Sequence, residues 1–305
     1  MSLLPQPTEN GTRLGDVEFI WARNSKEFFF SNSILIHDTQ TTLVDPSANF
    51  SYLEQIASQK IVKQVLNTHY HIDHRSLNSL FRDARLICHE LDLAPILSFE
   101  NYLKYADSER ESNYVQWLKN IFSSLDILET YVSATLKDNE WLPLEDQRVR
   151  AIHIPGHTPG HLGLFFEDLS LLYVSDIDLT PLGPWYANIS SDIDAFLNSI
   201  DRVKHLYCQY YVTSHGNRIY DRETFLNKLL RFESAFEIRD SKIFDALSKQ
   251  PQSTQDLSKV GIIYKSSHLQ DPLKACFERQ MVEKHLERLD KQGKIYQAEG
   301  LWHWK

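Results

Sequence analysis

Between residues 17 and 45 the chain runs in short apolar stretches, VEFIWA, EFFFSNSILIHD and TTLVD, rich in β-branched and aromatic residues and separated by polar breaks. This pattern predicts strands. TTLVDPS ends in an Asp-Pro-Ser turn, SYLEQIASQ has helical spacing, IVKQVLNTH is an apolar strand, and ARLICHE is a further short one. Strands alternating with helices predict an α/β layered domain. From about 92 to 135 the period changes. Leu93, Ile96 and Leu97, then Val115, Leu118, Ile121, Phe122, Leu125 and Leu128, recur at helical intervals. They predict two or three helices inserted over one edge of the domain. Strands return in VRAIHIPG, LGLFFED and LSLLYVSD, a helix follows around 193–206, and QYYVTSHG is a last strand.

After about residue 238 the pattern shifts again. SKIFDALSK, STQDLSKVG and FERQMVEKHLERLDKQGK read as three helices, followed in IYQAEGLWHWK by two short strands around Glu299-Gly300. Helix–helix–helix–hairpin is the outline of a winged helix. The 305 residues thus divide into a larger domain over 1–238 and a winged-helix-like domain over 239–305.

Charge narrows the class of partner. The formal net charge is −9, but residues 241–305 hold 11 Lys+Arg against 8 Asp+Glu, a net of +3, leaving −12 on the first 240. An acidic main domain argues against binding nucleic acid over the whole surface. A net of +3 on the C-terminal segment is modest beside what tight phosphate binding needs. The third C-terminal helix mixes Glu with Lys and Arg almost evenly, as a solvated or subunit-facing surface does, so a homodimer is one expected assembly. Cys88, Cys208 and Cys276 stand far apart without CxxC spacing, which is neither a disulfide framework nor a cysteine metal site. No apolar run approaches a membrane span and no signal peptide is visible at the N-terminus, so a soluble, cytoplasmic protein is expected.

The chemistry concentrates in NTHYHIDHR, residues 67–75. His69, His71, Asp73 and His74 can all bind a metal, and they follow an apolar strand, at the strand end where α/β folds usually place their sites. On an extended backbone i and i+2 side chains project to one side, so His69 and His71 can share one ion while Asp73 and His74 turn toward a second position. Imidazole and carboxylate suit Zn, Fe, Mn or Co. Further candidates also follow strands: His157 and His161 in IPGHTPGHLG, Asp176 and Asp178 in LLYVSDIDLT, and His215 in YYVTSHGN. A lone strand-end Asp or His is more often a cap or turn residue, but here all of them can meet along one sheet edge.

HYHIDH resembles the HxHxDH motif of the metallo-β-lactamase fold superfamily, in its glyoxalase II- and lactonase-like branch. PGHTPGH, Asp176 and the final SHG resemble its remaining metal motifs in the same order, and TTLVDPS its strand and turn before the first motif. The resemblance covers roughly residues 15–235. It implies an αββα sandwich of two mixed sheets with helices outside. It implies that His69, His71 and His157 hold one metal, that Asp73, His74 and His215 hold a second, and that Asp176 bridges them. By the same analogy His161 sits behind the site and is not a ligand. Two divalent ions, zinc first and iron or manganese as alternatives, lower the pKa of a shared water to give a hydroxide near neutral pH and polarise the substrate oxygen. Asp73 can pass a proton to the leaving group.

Departures from the family qualify the substrate. Many members have a pair of small residues after the first motif, where this chain has Arg75-Ser76. Arg75 is expected either to clamp an anion in the pocket or to cover a helix face in solvent. In SDIDLTPLGPWYAN, Asp178, Trp185 and Tyr186 are candidates to line the site, Tyr186 by binding a substrate oxygen, against a rigid loop in which both aromatics simply pack. The C-terminal unit resembles the small domain in a group that includes a mitochondrial endoribonuclease. The leading expectation is therefore a dinuclear hydrolase of a small ester, thioester or lactone. The alternative is a ribonuclease or phosphodiesterase acting on single-stranded RNA, and the third is a non-catalytic sensor.

Overall fold

A computed structural model describes residues 4–23, 30–106 and 112–305. Part of the stretch EFFFSNSILIHD lies outside the described residues, and its described strand is Ser33–Ile36.

Two sheets face each other. The first contains β1 (Gln6–Pro7), β2 (Gly11–Leu14), β3 (Val17–Ile20), β4 (Ser33–Ile36), β5 (Thr42–Val44), β6 (Gln64–Leu66), β7 (Arg85–His89) and β8 (Ala134–Leu136), in that spatial order. Pairing is antiparallel from β1 to β5 and parallel from β5 to β8. The second contains β9 (Val149–His153), β10 (Leu162–Phe166), β11 (Leu171–Tyr173), β12 (Tyr210–Val212) and β13 (Tyr220–Asp221), ordered β13-β12-β11-β10-β9. Within it β11 and β12 pair in parallel and their neighbours pair antiparallel. Both sheets are mixed, as expected.

The apolar residues predicted to be strands are buried because each sheet is covered on both faces. Phe19, Ile34, Val44, Leu66 and Ile87 of the first sheet pack against Ala151, Leu164, Phe166, Tyr173 and Val212 of the second. On its outer face the first sheet packs against α1 (Phe50–Ser58) and the insertion. A short helix α2 (Ile72–Arg75) follows β6, and the insertion then consists of α3 (Leu93–Leu97), α4 (Phe99–Ala106) and α5 (Ser112–Ser124), falling between β7 and β8 as the period change indicated. The second sheet is covered outside by α6 (Ile193–His205) and α7 (Arg222–Leu247), through Phe196, Ile200, Phe225, Leu229, Phe232 and Phe236. The order helix–sheet–sheet–helix is the αββα sandwich.

One helix differs from the sequence reading. The helix read as starting near SKIFDALSK begins at Arg222 and runs unbroken through residue 238 to Leu247. Asp221 caps its start, accepting a hydrogen bond from the Thr224 amide. The chain continues with α8 (Thr254–Val260), α9 (Pro272–Lys291) and the hairpin β14 (Ile295–Ala298)–β15 (Leu301–Trp304). The hairpin turn places Glu299 at φ 51° and Gly300 at φ 77°, the pair of left-handed residues that a two-residue turn between twisted strands requires. Ile243, Leu257, Val282, Leu286, Ile295 and Trp302 form a separate small core around these elements. Among the described residues, no helix is long and apolar enough to cross a membrane.

Candidate metal centre

The candidate ligands converge where the strand ends of the two sheets meet. His69 and His71 leave β6, Asp73 and His74 sit on α2, His157 lies between β9 and β10, Asp176 follows β11, and His215 follows β12. They form two groups, His69, His71, His157 and Asp176 in one and Asp73, His74 and His215 in the other, with ligand atoms within 4.8 Å of one another in each. His69 Nε2 lies 3.0 Å from His71 Nδ1 and 3.3 Å from His157 Nε2, and the last two nitrogens are 2.9 Å apart. Asp176 joins the groups: its Oδ2 is 3.0 Å from His157 Nε2 and its Oδ1 3.0 Å from His74 Nε2. Asp73 Oδ2 is 3.5 Å from His215 Nε2 and 3.8 Å from His74 Nε2.

The partners of the other ring nitrogens show which lone pairs are free for an ion. His157 Nδ1 donates to the Trp185 carbonyl at 2.8 Å, which turns its Nε2 toward the group. His74 Nδ1 donates to Asp45 Oδ2 at 2.9 Å, and its buried Nε2 has no hydrogen-bond partner among the described residues. Asp176 Oδ1 and Asp73 Oδ2 face that nitrogen at 3.0 and 3.8 Å, an acceptor-rich position that a proton or a cation satisfies. Burial alone would push His74 down, but Asp176, Asp45 and Asp73 pull it well above the usual histidine value. Burial sets His69 and His71 well below it, consistent with neutral imidazoles offering lone pairs. These residues fit divalent metal ions.

His161 is not in either group. Its Nδ1 donates to the Ile154 carbonyl at 2.9 Å, and its Nε2 accepts from the Asp176 amide at 3.0 Å, which fixes the backbone of the residue joining the groups. Burial and the neighbouring His157 push it down to about 3, so it stays neutral and keeps that acceptor.

Three supporting residues were not singled out in the sequence. Asp45 accepts from the Thr68 amide and hydroxyl at 2.8 and 2.7 Å as well as from His74. Asp92 accepts from the Tyr70 amide, the Thr158 hydroxyl and the Gly160 amide, at 3.1, 2.7 and 2.6 Å, and so ties the first motif to the His157 loop. Burial pushes it up to about 6 despite those donors. Asn188 reaches the Tyr70 hydroxyl at 2.6 Å and His71 Nε2 at 2.5 Å. His71 thus turns Nδ1 toward His69 and His157 and Nε2 toward the Asn188 side-chain amide, which fixes the ring's orientation.

Of the four candidate substrate contacts, two stay near the site and two do not. The Trp185 ring stands edge-on to His71 with centroids 5.4 Å apart. Asp178 is half-buried near His215, and burial raises its carboxyl to about 6. Tyr186 is corrected: its buried hydroxyl meets His285 Nε2 at 2.6 Å and Arg239 Nη1 at 2.7 Å, so it is committed to the C-terminal helices and not to a substrate. Arg75 is corrected too, in both of its readings. It is fully buried, donates to the carbonyls of Ile96 (2.8 Å) and Ile127 (3.4 Å), and lies over the Phe122 ring, tying α2 to the insertion. Burial lowers its pKa to about 10. Arg75→Ala is expected to cost about 3 kcal/mol in urea unfolding, from a cavity beside Phe122 and two orphaned carbonyls. The KM of any turned-over substrate should not change. A raised KM at unchanged stability would return Arg75 to the pocket.

With this geometry the comparisons with known proteins agree. Residues 27–215, more than half of the chain, match the model of the metallo-beta-lactamase superfamily. The chain belongs to that superfamily. It is 26% identical over 161 residues to the beta-lactamase-like protein 2 homolog of Drosophila melanogaster, spanning about half of that protein's length (51%) and 52% of its own. Among solved structures, a beta-lactamase domain protein from Burkholderia ambifaria superposes with a TM-score of 0.71 at 17% identity, over 95% of this chain and 91% of that one. A metallo-beta-lactamase family protein from Thermus thermophilus gives 0.63 at 20% identity, over 99% and 98%. At these identities the two structures speak for the fold alone.

Proposed function

We propose that the protein is a dinuclear hydrolase of a small ester, thioester or lactone. The observation that carries this reading is the position of Asp176, whose two carboxylate oxygens each stand 3.0 Å from a ring nitrogen of a histidine in a different group. One carboxylate shared between two ligand sets is what a pair of ions needs. When bound, two divalent cations supply a nucleophile from water near neutral pH and polarise the oxygen of the scissile bond. Zinc is our first assignment, because imidazole nitrogen and carboxylate oxygen dominate the donors.

The chain's own residues do the rest. His69, His71 and His157 would hold one ion, and Asp73, His74 and His215 the other. Burial alone would raise Asp73, yet His74 and His215 beside it hold its carboxyl below the ordinary value. It is therefore ionised at neutral pH, and its side chain, 26% exposed, can take a proton from water and pass it to the leaving group. The rim favours an uncharged acyl group: Trp185 offers an apolar wall, Asp178 adds negative charge, and Arg75 is spent on the insertion. A polyanionic nucleic acid would meet carboxylate and aromatic surface there instead of a guanidinium.

We read the C-terminal unit as winged-helix-like, from α8, α9 and the β14–β15 hairpin. The exposed Tyr296 and Trp304 on that hairpin keep single-stranded RNA as the second reading, since bases stack on such rings. A panel of lactones, thioesters, phosphodiesters and RNA, run on metal-quantified protein with His71→Ala as control, decides between them. Turnover of a lactone or thioester that His71→Ala abolishes is expected. Cleavage of RNA alone would reverse the assignment.

A further inference from the structure

Residues 182–191 form a strap without regular secondary structure between the metal centre and the C-terminal helices. On its inner side it holds two of the histidines. The Trp185 carbonyl accepts from His157 Nδ1 at 2.8 Å, the Ser191 hydroxyl donates to the His157 carbonyl at 2.8 Å, and Asn188 holds His71 Nε2 at 2.5 Å. On its outer side it is gripped by α7 and α9. Arg239 donates through Nη1 to the Pro184 carbonyl and the Tyr186 hydroxyl, both at 2.7 Å, and through Nη2 to the Leu182 carbonyl at 2.6 Å. Lys284 donates to the Ile189 carbonyl at 2.6 Å, and Phe277 packs edge-on against Trp185, 5.1 Å between centroids.

The grip is close and buried. Gly183 has φ +81°, and a Cβ there would stand 2.6 Å from Ala235 Cβ, so the strap lies directly on α7. Arg239 and His285 are 3% and 0% exposed. His285 Nδ1 is held by Asp240 at 2.5 Å, and Asp240 also accepts from Arg288 at 3.0 Å. A strap with no ladder of its own takes its carbonyl positions from outside donors, and a planar guanidinium with several donors in fixed geometry is suited to set them. Partners behind metal ligands normally fix ring orientation and affinity. Here those partners, the Trp185 carbonyl and Asn188, sit between strap positions that α7 and α9 hold, Pro184, Tyr186 and Ile189.

We infer that α7 and α9, the helices that grip the strap, are working parts of the metal centre, with Arg239 of α7 as the positioning residue that sets His157 and His71 through the strap. This rests on the metal-centre reading. It assigns these two helices a role in metal affinity and ligand geometry that does not depend on any partner bound to their outer surface.

The test uses full-length chains loaded with cobalt, whose visible spectrum reports ligand geometry without turnover. Affinity is read by competition with a chelator and stability by thermal unfolding. Arg239→Met is expected to weaken cobalt binding about tenfold and to alter the spectrum. Arg239→Lys, which keeps a donor for the carbonyls, should recover part of the loss. Leu257→Ala, which opens the small C-terminal core away from the strap, should lower Tm and leave affinity and spectrum unchanged. Wild-type affinity and spectrum in Arg239→Met would overturn the inference, as would an equal affinity loss in Leu257→Ala. If Arg239→Met does not fold, Tyr186→Phe, which removes only the hydroxyl shared by Arg239 and His285, is read in its place by the same criteria. A wild-type protein that binds no cobalt would overturn the metal-centre reading itself, an outcome distinct from the others.

Discussion

Asp176→Ala is expected to reduce kcat/KM by roughly ten-thousandfold, the scale on which metal and nucleophile function together. The reason is geometric. Its two oxygens are the shared element of the groups, 3.0 Å from His157 Nε2 and 3.0 Å from His74 Nε2, so its loss weakens both ion positions at once. Single replacements at His71 or His215 touch one group each and should leave one ion in place. Counting metal per chain in the three variants, alongside hydrolysis of the substrate found by the panel, separates these cases. An Asp176→Ala protein that keeps its full metal complement and activity would remove the bridging role.

Metal removal is the second large effect, and it should appear in stability. An ion held only by the folded chain stabilises it by about 4 kcal/mol when present at a thousandfold excess over its dissociation constant. The chain has built-in reasons to need that contribution. Three imidazole nitrogens converge at 2.9, 3.0 and 3.3 Å, and His74 Nε2 is buried without a hydrogen-bond partner among the described residues. Without a cation these groups repel one another or stay unsatisfied. Chelation should therefore lower Tm, and re-addition of zinc should restore it in a concentration-dependent way. An unfolding curve indifferent to chelator and zinc would mean the cluster is a settled hydrogen-bond network.

Much of this site was legible along the chain because its donors are local and follow strands. HYHIDH packs four of the seven candidates into six positions, and His157, Asp176 and His215 each close an apolar run. Once the strands pair as β5-β6 and β11-β12, those ends have nowhere to go but one edge. Asp45, Asp92 and Asn188 were harder. A single Asp or Asn carries no periodic signal, and its role depends on which histidine or amide the fold brings to it. Arg75 reads as either a pocket clamp or a solvated helix cover, and Tyr186 as either a substrate contact or a packed loop residue, because each follows a ligand motif in sequence. Their actual partners, Ile127 and His285, lie 52 and 99 residues away. The start of α7 is a different case. Phe225, Leu229, Phe232 and Phe236 recur at helical spacing and are all buried, so that signal was present in the sequence.

The insertion and the C-terminal unit approach the same strap from two sides. Tyr70, between two ligands, stacks edge-on with Tyr102 and Tyr105 of α4, and the Ser190 amide donates to the Tyr105 carbonyl at 3.3 Å. Gln280 of α9 reaches the Ala106 carbonyl at 3.4 Å. These contacts place aromatic surface over one side of the ligand cluster, the environment in which an uncharged acyl substrate loses least on leaving water.

The measurement that bears most directly on the central claim is metal content per chain in the purified protein, taken with its hydrolytic activity before and after chelation. A dinuclear centre predicts about two divalent ions per chain, activity lost with them, and activity regained when zinc is returned. Well under one ion in a chain that hydrolyses its substrate at full rate, with or without chelator, would contradict it.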